Sequence, residues 1–324
     1  MKILITGISG QDGIYLSKLI SKKYKNFNII GVSRNLNSNN FVKISKIKLD
    51  LPNQNLKILN LNLLDYNQLN IFIKDFKPNM VFNFSGPSSV YKSIKNPEEK
   101  VKITSIFENL TNTLIKNRNF CNFFQASTSE MFGLNNKEII YTEKSKFLPN
   151  SPYAEGKLIN HKSVLDLKNK FDWNIYSGIM FNHESEFRSD NYLIMQIINS
   201  AMKISKGELK KLKIGSTEYV RDWSYAKEIV KGVFEITTNG RDADYVLGSG
   251  IGNSIGYVLN VAFNFFNLDY KNYIEIDKSI LRKNDPKEII ADPSKIYNEL
   301  GWKTETSLEK IIENICIYKI NNPL

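Results

Sequence analysis

A chain of 324 residues, 42% apolar and 24% charged, is long enough for a full hydrophobic core, and no apolar run reaches the ~18–20 residues of a membrane span. The net charge of +11 is spread over scattered lysines, which argues against a nucleic-acid reader and suits an anionic diphosphate substrate. MKILITG at the start is a strand with a glycine turn, without the h-region or cleavage site of a secretion signal, so the cytoplasm is expected.

In chain order, KILITG (2–7) is a short apolar run ending in glycine, and DGIYLSKLISKKY (12–24) carries apolar residues at helical spacing. NIIGVSR (28–34) reads as a second buried strand, LKILNLNLLD (56–65) as a third and NQLNIFIKDF (67–76) as the helix after it. MVFNFSG (80–86) is a fourth strand, followed by a long helical stretch over 97–117 and the strand NFFQAST (122–128). A helix from Tyr153 to about Lys170 and the strand NIYSGIMF (174–181) complete the pattern. Strands alternating with helices predict an α/β fold, a doubly wound parallel sheet of the Rossmann type with right-handed crossovers. The expected organisation is a nucleotide-binding domain over 1–180 and a smaller C-terminal substrate-binding lobe over 181–324, with some segments returning to the first domain. The Asn-rich stretch 35–55 reads as a mobile loop, and KGELKKLK (206–213) as a solvated turn. Cys121 and Cys316 are too few for a disulfide framework and read as small buried residues, while His161 and His183 are too few for a zinc site.

GISGQDG places Gly7, Gly10 and Gly13 directly after the first strand and before the first helix. The first glycine allows the tight turn, the second lets backbone N–H groups approach a pyrophosphate, and the third lets helix and strand pack closely. A plain tight turn is the competing reading; the strand–turn–helix context favours a dinucleotide. The second strand ends in Ser33-Arg34 with no carboxylate until Asp50, which favours NADP over NAD, because an acid there would hold the ribose 2′-hydroxyl of NAD. Further on, Tyr153 and Lys157 stand four apart and share a helix face. A phenol is a poor base at neutral pH, and a neighbouring ammonium lowers its pKa towards a useful value. Thr128, at the preceding strand end, is placed to hydrogen-bond the same substrate hydroxyl. Glu130, two residues on, would face the same side if the strand continued.

Taken together, GISGQDG (7–13), QASTSEMFG (125–133), SPYAEGK (151–157), GIMFNHES (178–185), VRDWSYAKE (220–228), the Arg282/Asp285 pair and ADPSK…LGW (291–302) resemble the extended short-chain dehydrogenase/reductase family. Within it the resemblance is to the GDP-mannose 4,6-dehydratases, nearly end to end. It implies that Thr128, Tyr153 and Lys157 run oxidation at C4 of the sugar, Tyr153 taking the O4 proton while hydride passes to NADP. Glu130 would then remove the C5 proton and protonate the departing C6 hydroxyl; the hydride returns to C6 and leaves a 4-keto-6-deoxy sugar. Cofactor contacts would come from Gly10, Gln11, Asp12, Gly13, Arg34, Asn62, Leu63, Phe84, Ser85, Gly86, His183 and Arg188. Substrate contacts would come from Ser88, Glu130, Asn182, Arg221 and Arg282, the two arginines suiting the diphosphate of a nucleotide sugar. Relatives pair the Tyr–Lys helix across a dimer interface, so a homodimer or homotetramer is expected, with Leu158, Val164 and Leu165 on the other faces of that helix. The family pattern has arginine where this chain has Phe187. Two other readings stay open: a 4-epimerase or decarboxylase of the same family, the epimerase needing no acid at position 130, and a non-catalytic protein that binds NADP or a sugar nucleotide.

Overall fold

The computed structural model describes residues 1–24, 26–33, 55–134, 138–281 and 285–322. Arg34, Arg282 and all but the last residue of the Asn-rich stretch lie outside them. Seven strands form one sheet: β1 (Lys2–Thr6), β2 (Asn28–Val32), β3 (Leu56–Leu59), β4 (Met80–Asn83), β5 (Asn122–Ala126), β7 (Ile175–Met180) and β11 (Asp244–Leu247). Their order is β3-β2-β1-β4-β5-β7-β11, and every neighbouring pair is parallel. The chain leaves β1 towards β3 and then returns to lay β4 on the other side of β1. That reversal opens a crevice beyond the carboxyl ends of β1 and β4, where open α/β sheets hold their ligands.

Side-chain alternation along the strands divides the core between the two faces. Ile3, Ile5, Phe82 and Phe124 pack under α1 (Gln11–Lys23) and α7 (Ala226–Asn239), in one cluster with Ile14 and Val233. Leu4, Val81 and Phe123 face the opposite layer, with Leu69 of α2 (Tyr66–Phe76), Leu110 of α4 (Glu99–Lys116) and Val164 of α5 (Pro152–Phe171). The short α3 (Val90–Lys95) precedes α4. Cys121 and Cys316 are both buried free thiols, as their sequence context suggests.

Residues after 180 build a second core and also return to the first. A small sheet runs β12 (Gly252–Ser254), β10 (Val220–Tyr225), β14 (Glu288–Ala291) and β6 (Ile140–Tyr141), and β8 (Asn182–Glu184) pairs with β10. A two-stranded ribbon joins β9 (Leu212–Ile214) to β13 (Ile274–Ile276). Ile197 of α6 (Leu193–Ser205), Leu259 of α8 (Ile255–Asn264) and Ile312 of α10 (Leu308–Asn321) make a separate apolar cluster. α7 and β11 meanwhile complete the large sheet and its helical layer, and α9 (Ser294–Leu300) packs on them through Ile296. Asp222, the acid of the RDW segment, is a structural hub. Its carboxylate accepts N–H bonds from Ser249 (2.9 Å), Gly250 (2.8 Å) and Ala291 (3.2 Å), tying β10 to β14. Among the described residues no helix is long and apolar enough to cross a membrane.

Candidate active site

The turn after β1 is shaped by what its glycines lack. Gly7 has φ +69°, and a Cβ there would meet the Phe84 backbone at 2.9 Å. A Cβ on Gly13 would stand 2.6 Å from the Ile8 Cα, so the helix could not settle against the strand. Gly10 caps α1 without a side chain, so the first-turn N–H groups have no capping partner and the positive helix end faces the crevice. The crevice is a cavity of about 320 Å³. Gly7, Gly10, Gln11, Asp12, Leu63, Phe84, Ser85, Gly86, Ser88 and Arg188 line it, together with Ser33 at the end of β2. A close-approach glycine turn, an uncapped helix N-terminus and a cleft of this size fit a dinucleotide diphosphate. Asn62 is engaged in its own turn, its Oδ1 accepting the Leu64 N–H at 3.1 Å.

The FNHES segment is clamped onto this turn. Gln11 Nε2 donates to the His183 carbonyl at 2.8 Å, and Ser185 Oγ donates back to Gln11 Oε1 at 2.8 Å. His183 bonds through both nitrogens, Nδ1 to the Phe181 carbonyl at 2.7 Å and Nε2 to Asp12 Oδ1 at 3.0 Å. Two acceptors require an imidazolium. Burial works against that charge, but the Asp12 carboxylate outweighs it and raises the His183 pKa; the same pair holds the Asp12 carboxyl below its ordinary range despite its own burial. His161 is the opposite case. It is buried on α5 with Nδ1 against Ser177 Oγ at 2.9 Å, and burial drops its pKa to about 4. Asp244 lies 3.5 Å from its Nε2 but is neutralised by Lys295 at 3.3 Å.

The signs follow by linkage. His183, raised, adds stability below the ordinary value of 6.5 that fades as pH rises through its folded pKa. His161, lowered from 6.5, costs stability as pH falls from that value towards about 4, on the order of 3 kcal/mol once the unfolded chain alone is protonated. Nitrogen NMR of labelled histidine should show two curves displaced in opposite directions from an ordinary imidazole; superimposed curves would refute the assignment.

The four residues expected to carry the chemistry gather over the ends of β4 and β5. A buried polar row crosses the sheet there: Thr6 Oγ1 donates to Asn83 Oδ1 (2.6 Å), Asn83 Nδ2 to Gln125 Oε1 (2.7 Å) and Gln125 Nε2 to the Ala126 carbonyl (2.8 Å). The strand stops at Ala126, short of the expected Thr128, and the chain enters a single 3-10 turn at Ser129–Met131. Thr128 caps that turn, its Oγ1 accepting the Glu130 N–H at 3.3 Å. A hydroxyl that offers the backbone a local partner competes with the sheet ladder, which is why Glu130 is delivered by a turn and not by strand alternation.

Ser151 starts α5 by accepting the Ala154 N–H at 3.2 Å, with Pro152 in the first turn, so Tyr153 and Lys157 fall one helical turn apart on its buried side. Thr128 and Glu130 both lie near enough to Tyr153 to act on its phenol, the Thr128 hydroxyl lowering its pKa and the Glu130 charge raising it. The spacing suggests Lys157 as the main charge on the phenol, but it is not among the larger influences. Its Nζ donates to the Ala126 carbonyl at 2.8 Å and lies 5.9 Å from the Tyr153 ring centre. Burial raises the phenol, the Thr128 hydroxyl opposes this, Tyr192 and Glu130 push it further up, and Arg188 is the cation that draws it down. Burial also lowers the Lys157 ammonium to about 8, with Asp12 opposing.

The remaining predicted residues divide. Asn182 and His183 pair in register with Trp223 and Ser224, which sets the segment beside β10. Arg221 forms an ion pair with Asp285 at 3.0 Å and donates to the Val220 (2.8 Å) and Lys287 (3.1 Å) carbonyls, contacts that lie within its own lobe. Arg188 faces Glu184 Oε2 at 3.5 Å. Phe187 is packed against Tyr15 (5.4 Å) and Tyr318 (5.9 Å). Sequence reasoning missed Tyr192, which lines the cavity with Ser88 and Arg188; an aromatic four residues after Arg188 was the one signal, and a weak one.

Known proteins resemble this chain over nearly its whole length. The family model described as GDP-mannose 4,6 dehydratase matches residues 4–315. GDP-mannose 4,6 dehydratase 2 of Arabidopsis thaliana is 30% identical over 319 residues, covering 96% of this chain and 84% of that protein. GDP-mannose 4,6-dehydratase of Sinorhizobium fredii (strain HH103) is 28% identical over 330 residues, covering 95% and 93%. Among solved structures, dTDP-glucose 4,6-dehydratase from Bacillus anthracis in complex with NAD superposes with a TM-score of 0.86 at 19% identity, over 99% of this chain and 97% of that one. At that identity the likeness speaks for the fold alone. A family match spanning the glycine turn, the Thr–Glu–Tyr–Lys set and the second lobe places this chain in the GDP-mannose 4,6-dehydratase family.

Proposed function

We propose that the protein is a nucleotide-sugar 4,6-dehydratase acting on GDP-mannose or a closely related GDP-sugar, with NADP as its resident dinucleotide. The observation that carries this reading is Glu130, delivered by the turn that Thr128 caps and near enough to Tyr153 for its carboxylate to act on the phenol. Exchange of configuration at C4 needs only a proton acceptor there, whereas elimination of water also needs an acid–base group over C5 and C6.

When bound, NADP supplies a hydride acceptor at C4 and returns the same hydride to C6, so the reaction has no net redox change. The uncapped start of α1 and the Gly7–Gly10 turn would hold its diphosphate, and Arg188 would add positive charge. Tyr153 Oη takes the O4 proton while Thr128 Oγ1 orients that hydroxyl, and the nearby Arg188 charge favours the ionised phenol against the effect of burial. Glu130 takes the C5 proton, which the adjacent C4 carbonyl acidifies, and delivers a proton to the departing C6 hydroxyl. As hydride returns to C6, the proton that Tyr153 took from O4 is given back at C5, so atoms balance as loss of one water and a 4-keto-6-deoxy sugar remains. Incubation with a panel of nucleotide sugars, followed by mass spectrometry, tests the reading: GDP-mannose should lose one water, and a panel without any dehydrated product would overturn it.

NADP is favoured over NAD because β2 runs out in Ser33, which lines the cavity without the carboxylate that would hold a ribose 2′-hydroxyl. Because the hydride leaves and returns within one cycle, the dinucleotide need not exchange. Denaturing the purified protein should therefore release NADP, and recovery of NAD alone would refute the preference. The chain is further proposed to form at least a homodimer. Val164 is committed to the chain's own core, so pairing would use exposed apolar residues on α4 and α5, among them Val101 (63% exposed) and Ile159 (40%). A monomeric mass by light scattering at about micromolar concentration, where an interface of standard size holds, would exclude the dimer.

A further inference from the structure

Tyr192 stands immediately before α6 and touches two residues from different parts of the chain. The Arg188 guanidinium carbon lies 3.6 Å from the centre of its ring, while the Arg188 Nε edge faces Glu184 at 3.5 Å. Its hydroxyl donates to Ser88 Oγ at 2.8 Å and reaches the Ser88 carbonyl at 3.1 Å. Ser88 follows β4 and Arg188 follows β8, so one side chain spans the cavity that both residues line. Tyr192 also lies near enough to act on the catalytic phenol of Tyr153.

We propose that Tyr192 is a positioning residue with two separable actions: its ring fixes Arg188 towards the anionic dinucleotide, and its hydroxyl fixes Ser88 at the sugar end of the cleft. The second action rests on the dehydratase reading; the first does not. An unheld arginine must lose much rotamer freedom when an anion binds. A guanidinium laid on an aromatic face with a carboxylate at its edge has lost most of that freedom already, so less of the ligand's binding energy goes into ordering it. In the same way, a serine hydroxyl already tied to a phenol presents one orientation to the sugar.

The phenylalanine and leucine variants separate the two actions. Tyr192→Phe keeps the ring and loses the bond to Ser88. It should leave NADPH affinity, read by fluorescence on nucleotide-stripped protein, within about twofold of native, while KM for GDP-mannose rises about fivefold with kcat nearly unchanged, the size expected for one lost hydrogen bond. Tyr192→Leu loses the ring as well, and NADPH affinity should also fall about five- to tenfold. Ser88→Ala should raise KM like Tyr192→Phe, and the double variant Tyr192→Phe/Ser88→Ala should be no worse than either single one. Equal NADPH affinity in the Phe and Leu variants would overturn the role of the ring. Additive losses in the double variant would overturn the role of the hydroxyl. If native protein bound NADPH but failed to convert GDP-mannose, the dehydratase reading would fall, and the Phe–Leu comparison on NADPH would still decide the inference.

Discussion

Tyr153→Phe should lower turnover about 10²–10⁴-fold, the range for losing a general acid–base group, with no reduced dinucleotide formed at any time. The substitution is nearly isosteric in a buried position, and the Tyr153 backbone N–H that bonds Ser93 Oγ at 3.2 Å is untouched, so α5 should keep its place. What disappears is the hydroxyl near Thr128. Two other candidate bases are already engaged. Lys157 is held by the Ala126 carbonyl, and both nitrogens of His183 are engaged. Native turnover in the Phe variant, with melting unchanged, would remove Tyr153 from the chemistry.

Glu130→Gln should fail differently. The group that Thr128 caps is the Glu130 backbone N–H, not its carboxylate, so the 3-10 turn survives the change. On the proposed mechanism, oxidation at C4 still has Tyr153, but C5 has lost its base and the C6 hydroxyl its acid. The variant should accumulate reduced dinucleotide, visible by its absorbance, while release of water from the sugar falls about 10²–10⁴-fold. The contrast between the two variants is more informative than either loss. The Phe variant shows neither signal, and the Gln variant shows the first without the second. Water loss at the native rate in the Gln variant would remove Glu130 as the elimination acid.

Much of this architecture is legible in the sequence because it is encoded locally. The parallel sheet follows from short apolar runs alternating with helical periodicity, and the glycine turn from Gly7 and Gly13, where a Cβ has no room, with Gly10 between them. Tyr153 and Lys157 share a side of α5 because a helix with Ser151 and Pro152 at its start leaves little choice. Tertiary pairing is much harder to read. That β11 and α7 rejoin the first sheet depends on partners about 70 residues away, such as Tyr245 opposite Gly178. The ends of strands are ambiguous for a different reason: Thr128 can serve the ladder or cap a turn, and its own hydroxyl favours the turn. Side-chain electrostatics are hidden until burial is known. Spacing alone puts Lys157 beside the phenol, yet the lysine spends its proton on Ala126, while Arg188, 35 residues from Tyr153 in sequence, supplies the charge that lowers the phenol pKa.

The most direct test of the account follows a hydrogen atom. GDP-mannose carrying deuterium at C4, incubated with the holoprotein in ordinary water, should yield a product lighter by one water that retains the deuterium, now at C6, with a solvent proton at C5. Tyr153 and Glu130 each handle protons that exchange with solvent, whereas a hydride kept within the closed site does not. A product of unchanged mass with inverted C4, or a dehydrated product that has lost its deuterium, would contradict internal hydride return and with it the dehydratase mechanism.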